Sequence, residues 1–172
     1  LKTEYIGWTR KDTIIKKYGA LTTQFVEDGS SNANWTGDWT TTTSDFVSSP
    51  RSFTDGSGDY SINANKTTQF NQTIDLTNAL DAEVSFYAKW AIESDYDYCQ
   101  FQVSTDGGSS WIGQCGNYTV SGTSANGSAQ PNNEPVYEGF QTSWVLEEIS
   151  LSDYIGQTID VRFQLESDGG VN

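Results

Sequence analysis

The sequence predicts an all-β protein, a two-sheet antiparallel β-sandwich of the jelly-roll kind. Three observations carry that prediction. Helix formers are scarce, while Thr, Ser, Asn, Gly and aromatic residues abound, a mix that suits strands and turns. Several segments alternate apolar and polar residues with period two, so each has one buried and one wet face. Clusters of Asp, Gly, Ser and Asn punctuate those segments. About eight such strands with long crossing loops fit two stacked sheets.

The elements follow in order. Tyr5 to Trp8 and Thr13 to Ile15 alternate well enough for two short strands. Five of the nine basic residues (Lys2, Arg10, Lys11, Lys16 and Lys17) lie in this stretch. It reads as a linker or the tail of a preceding domain, residues 1–19, ahead of a sandwich domain at 20–172. Thr22 to Val26 is the next strand, and Asp28-Gly-Ser-Ser-Asn32 breaks it. Trp39 to Thr43 and Lys66 to Leu76 follow, with the Asp55-Gly-Ser-Gly-Asp59 turn between them. Ala82 to Ile92 alternates most clearly: Val84, Phe86, Ala88, Trp90 and Ile92 share one face. Thr119 to Glu138 holds two of the three prolines and reads as a surface loop. Trp144 to Leu151 and Thr158 to Glu166 resume the strands, with Ile159, Val161, Phe163 and Leu165 facing inward in the last. Asn78 to Asp81 and Ser152 to Tyr154 each suit one helical turn.

A formal charge of −14 and a pI near 4.1 argue against nucleic acid, which needs a basic face. No histidine is present, so nucleophile systems built on Ser-His-Asp or Cys-His are excluded and a catalytic zinc site is disfavoured. No run approaches the roughly 18 apolar residues of a membrane-spanning helix. The chain starts at Leu1 and reads as a piece of a longer precursor, so a missing signal peptide does not argue for a cytosolic home.

The run Asp95 to Trp111, closed by Cys115, reads as a hairpin. Folded about Gly107, it sets Val103 opposite Trp111 and Cys99 opposite Cys115, and places Trp90 and Trp111 on inward faces. The expectation is a disulfide between Cys99 and Cys115 and an oxidising compartment, secreted or at the cell surface. A loop of about 15 residues closed this way is worth roughly 3 kcal/mol. Two buried thiols are the alternative; a redox pair lacks the CxxC form.

Asp97 to Trp111, with its V-S-T-D-G-G-S-S-W hairpin, resembles a motif of secreted bacterial jelly-roll domains attached to peptidases. Trp35 to Trp39, the Asp55 to Tyr60 turn, Phe70 to Leu76, Leu80 to Trp90 and Val161 to Gly170 match as well. The chain from Thr22 onward is similar to MAM-like domains of the galactose-binding, jelly-roll type. It most resembles the C-terminal accessory region of flavobacterial secreted zinc carboxypeptidases of the carboxypeptidase T type; immune-inhibitor-A-like peptidases carry related modules. The resemblance implies a non-catalytic module with a catalytic domain upstream in the same precursor, and zinc only in that parent domain. Members usually continue past S-D-G-G into a further strand with paired aspartates. The chain stops at Asn172, so one sheet edge is expected to be open or covered by the N-terminal segment.

The resemblance also implies a structural calcium ion, held by clustered oxygens. The matching positions are Glu27, Asp28, Asp55, Asp59 and Asp168; turn chemistry alone also accounts for Asp and Gly there. Asp95 with Asp97, and Glu147 with Glu148, read as solvated carboxylate pairs. Trp35 and Trp39, in a polar segment, are candidate stackers for sugar rings. The functional expectation is therefore an accessory domain that stabilises a zinc metallocarboxypeptidase or targets it to protein or cell-surface material. The alternative is a carbohydrate- or cell-surface-binding module of another secreted hydrolase.

Overall fold

The computed structural model describes residues 22–170 and the backbone of residues 2–5 and 8–11. Its strands, in chain order, are β1 (Lys2–Tyr5), β2 (Trp8–Lys11), β3 (Trp35–Gly37), β4 (Thr40–Thr42), β5 (Ser52–Thr54), β6 (Asn65–Phe70), β7 (Ile74–Asp75), β8 (Glu83–Ile92), β9 (Tyr98–Ser104), β10 (Ile112–Gly113), β11 (Val120–Ser121), β12 (Pro135–Val136), β13 (Gly139–Ser150) and β14 (Thr158–Glu166). The only helix among the described residues is one 3₁₀ turn at Ser152–Tyr154. The fold is all-β and antiparallel, a β-sandwich as the alternation predicts.

The larger sheet runs β10-β9-β14-β6-β3, with β7 also pairing with β14. The long strands β8 and β13 pair with each other and form the second layer. Between the layers lie Phe70, Phe101, Val103, Ile149, Ile159 and Val161, with Val84, Phe86 and Phe163 packed against them. Phe163 sits at the hub of an aromatic cluster, with Phe86 and Phe101 about it in edge-on contact at 5.1 and 5.2 Å. Period two explains the arrangement: odd positions of β14 point inward, and even positions of β8 do the same.

Several expectations shift. Tyr5 and Trp8 pair across the β1–β2 hairpin, so the two ends of the expected strand face each other. Thr13 to Ile15 and the boundary near residue 19 lie outside the described residues. Thr22 to Val26 is not a strand: Phe25 instead packs its ring on Phe70 at 4.2 Å. Lys66 to Leu76 is two strands, β6 and β7, because pairing with β14 is interrupted between Gln69 and Ile74. Asn78 to Asp81 forms no helical turn. The 119–138 loop carries the small β11–β12 ladder.

The hairpin register is off by one. Ile112, not Trp111, faces Val103, and the Gln114 amide donates to the Phe101 carbonyl. The turn is centred between Gly107 and Gly108, both at positive φ, where glycine carries no Cβ penalty. A one-residue slip swaps the faces. It takes Trp111 out of the core and sets Cys115 along the line of Gln100 rather than Cys99. Both cysteines are free thiols: Cys115 is exposed, and Cys99 pairs through its backbone with Tyr137. Burial pushes the Cys99 thiol up to about 12, so it stays protonated at neutral pH.

Candidate functional site

Three chain segments end together at one end of the sandwich. Glu93 directly follows β8, Asp97 directly precedes β9, and Asp168 lies two residues past β14. Pairing of Tyr98 with Glu166 brings the last two together. One carboxylate oxygen from each lies within 4.8 Å of the others, the one such group of three among the described residues. Asp97 is fully buried.

The surrounding bonds fix two of the three. The Tyr60 hydroxyl donates to Asp97 Oδ2 at 2.8 Å, and the Asp168 amide donates to Asp97 Oδ1 at 2.7 Å. The Gly170 amide donates to Asp168 Oδ1 at 2.6 Å. The Tyr60 oxygen in turn accepts the Glu93 amide at 3.0 Å, and Gln130 Nε2 holds the Asp97 carbonyl at 2.8 Å. Glu93 Oε2 is buried and has no hydrogen-bond partner. Desolvation, then the charges of Asp97 and Asp168, raise the Glu93 carboxyl above its ordinary range. Burial likewise raises the Tyr60 hydroxyl, keeping it a neutral donor.

Three acids with an orphaned oxygen make a pocket of negative charge without a cation of its own. Hard, oxygen-rich donor sets of this kind suit Ca²⁺. The donor chemistry therefore fits the ion expected from the sequence, but with a different membership. Only Asp168 of the expected set belongs. Glu27 caps a turn by accepting the Gly29 amide at 3.0 Å, and Asp28 accepts the Ser30 amide at 2.8 Å. Asp55 faces Lys66 at 3.7 Å, and Asp59 is exposed. Asp97 is buried rather than solvated beside Asp95 as its position in the sequence suggests. A usable signal was present: Asp97 continues the inward odd positions Cys99, Phe101 and Val103. Glu93 offered none, since its role depends on where Asp168 comes to rest.

The expected sugar stackers are also placed elsewhere. Trp35 and Trp39 are half-buried, Trp39 stacked on Phe163 at 5.7 Å and Trp35 against Phe53 and Phe70. Their indole N–H groups are buried without partners. These rings close the side of the core.

The sandwich and the carboxylate knot can be set beside known proteins. Residues 38–172 match the family described as immune inhibitor A-like, MAM domain. The chain belongs to that family. No curated protein matches the chain. The MAM domain assignment agrees with the all-β architecture and with the strands that hold Glu93, Asp97 and Asp168, all of which lie inside the matched span. No helix among the described residues is long and apolar enough to cross a membrane.

Proposed function

We propose that this MAM domain is the non-catalytic accessory module of a secreted zinc metallopeptidase of the carboxypeptidase T type. Its role is to stabilise the enzyme outside the cell or to hold it against protein or cell-surface material. The observation that carries the reading is the match of residues 38–172 to a domain named for immune inhibitor A-like proteins. The hairpin, Trp and S-D-G-G motifs quoted above support the narrower parentage. The test is the intact precursor. It should carry zinc and release C-terminal residues from peptides, and removing the module should shorten its active half-life without changing initial rates. An upstream region without bound zinc, or one inactive on peptides, overturns the reading.

Calcium belongs to the same proposal. Glu93, Asp97 and Asp168 would hold the ion. Bound there, it supplies neutralising charge and a cross-link between the ends of three strands. Tyr60 and the Asp168 amide orient Asp97 before any ion arrives. The check is thermal unfolding in calcium and in EGTA.

A further inference from the structure

The outer face of the larger sheet carries a built polar site, set by the pairing of β14 with β9 and β6. One row across it reads Thr36, Gln69, Arg162, Gln102 and Gly113 on β3, β6, β14, β9 and β10. The next row is Thr67, Gln164 and Gln100. Arg162 is the centre. Its Nε donates to Gln102 Oε1 at 2.6 Å and its Nη2 to Gln164 Oε1 at 2.8 Å. Its guanidinium carbon lies 4.3 Å over the Trp111 ring.

Two amide relays run outward from that guanidinium. Gln102 Nε2 donates to Gln100 Oε1 at 2.7 Å, and Gln100 Nε2 to the Pro135 carbonyl at 2.9 Å. Gln164 Nε2 donates to Glu166 Oε2, which also accepts the Tyr98 hydroxyl at 2.8 Å. Gln100 and Gln102 are 2% and 6% exposed. Gly113 makes room for this: a Cβ there would lie 2.4 Å from Gln100 Nε2. The amides are locked, so Arg162 is held in one pose.

Arg162 differs from both lysines of residues 22–170; like Arg51, which donates to Thr41 Oγ1, it has no carboxylate partner among the described residues. Lys66 faces Asp55, and Lys89 pairs with Asp45. Among the described residues no carboxylate lies within ion-pair distance of Arg162. A guanidinium has five N–H donors, and the two glutamine carbonyls take two. Beside it, Gln69 and Thr67 are half-exposed and Thr36 is exposed. Asp160 and Glu166 flank it on the same face.

We propose that this face binds a neutral polysaccharide. Vicinal hydroxyls need donors and acceptors side by side, and the two rows together supply a fixed guanidinium, the Gln69 amide, the Thr67 hydroxyl, the Thr36 hydroxyl as an acceptor (its proton goes to Asn71 Oδ1) and flanking carboxylates. The net charge of −14 and the two flanking acids disfavour a polyanion. Around Arg162 and Gln69 a peptide strand finds no free backbone edge, because β9, β14 and β6 pair on both sides. Pre-locked groups bind at low entropic cost. The site goes beyond the peptidase reading and stands without it.

The test is affinity electrophoresis of the 172-residue chain in gels cast with xyloglucan, galactomannan or laminarin, with polygalacturonate as the anionic arm. Retardation in at least one neutral gel is expected. Gln69→Ala should weaken it at least tenfold with an unchanged melting temperature. Arg162→Lys, which keeps the charge and loses the fork, should do the same. If Arg162→Lys fails to fold, Gln69→Ala decides. No retardation in any neutral gel, retardation by polygalacturonate alone, or binding untouched by Gln69→Ala overturns the proposal. None of these results bears on zinc or peptide cleavage by the precursor.

Discussion

Two acidic centres in this MAM domain solve the same problem in opposite ways. Glu147, on β13, is 0% exposed, yet every lone-pair direction is used. Its Oε1 accepts the amides of Asn117 at 2.6 Å and Glu148 at 2.8 Å; its Oε2 accepts the Tyr118 amide at 3.1 Å and the Tyr137 hydroxyl at 3.0 Å. The knot of Glu93, Asp97 and Asp168 crowds three charges together and leaves one buried oxygen unpaired. A buried carboxylate is tolerable when donors surround it. Glu147 is complete with protein alone, whereas the knot keeps an unpaired oxygen that the proposed cation would satisfy. The difference separates a clamp from a candidate cation site, although both look alike as acids in a sequence.

The comparison can be broken most directly at Glu147. Glu147→Ala strands four donors, and each buried unsatisfied group costs roughly 1–3 kcal/mol. The expected loss in urea unfolding is at least about 3 kcal/mol, the same in calcium and in EGTA. A loss that calcium restores would erase the distinction. Next in size, calcium at about 100 times its Kd should raise stability by about 2.7 kcal/mol, and Asp97→Asn should remove that response. A melting temperature indifferent to calcium and EGTA rejects the ion.

Glu93→Gln sharpens the contrast with a change of sign. In EGTA it removes one of three like charges, so the variant should be the more stable protein. In calcium it removes a ligand, so it should be the less stable one. A variant weaker in both conditions would make Glu93 merely structural.

The smallest effect belongs to a third acid, Asp106 in the β9–β10 turn. The Ser110 hydroxyl and amide, then the Ser104 hydroxyl, hold its carboxyl down at about 2. Its folded value lies below its unfolded one. Its contribution is therefore present above about pH 4, the unfolded range, and is lost as pH falls from there through about 2. Asp106→Ala should flatten that part of the stability profile: the variant falls slightly below wild type at neutral pH and meets it as pH approaches 2.

What the sequence disclosed follows from the range of the forces involved. β8 and β14 were legible because their alternation is local: Val84 to Ile92 and Ile159 to Leu165 name their own inner faces. The β9–β10 register was not, since it turns on whether the bend centres on Gly107 or between Gly107 and Gly108, which serine and aspartate bonds within the loop decide. That half-step misplaced Cys115 and Trp111 together. The knot was legible in one residue of three. Asp168 sits in a motif, but its partners lie 71 residues or more away and meet it only through the β9–β14 pairing.

The second layer has a consequence for how copies of the domain meet. Among the described residues, β8 and β13 pair only with each other, so the outer edge of each, 10 and 12 residues long, has no strand partner. Such edges invite strand-to-strand aggregation. Mutual repulsion between molecules of formal charge −14 opposes it at neutral pH. Close to pH 4.1, where that repulsion vanishes, the same protein is expected to turn cloudy at concentrations it tolerates at pH 7.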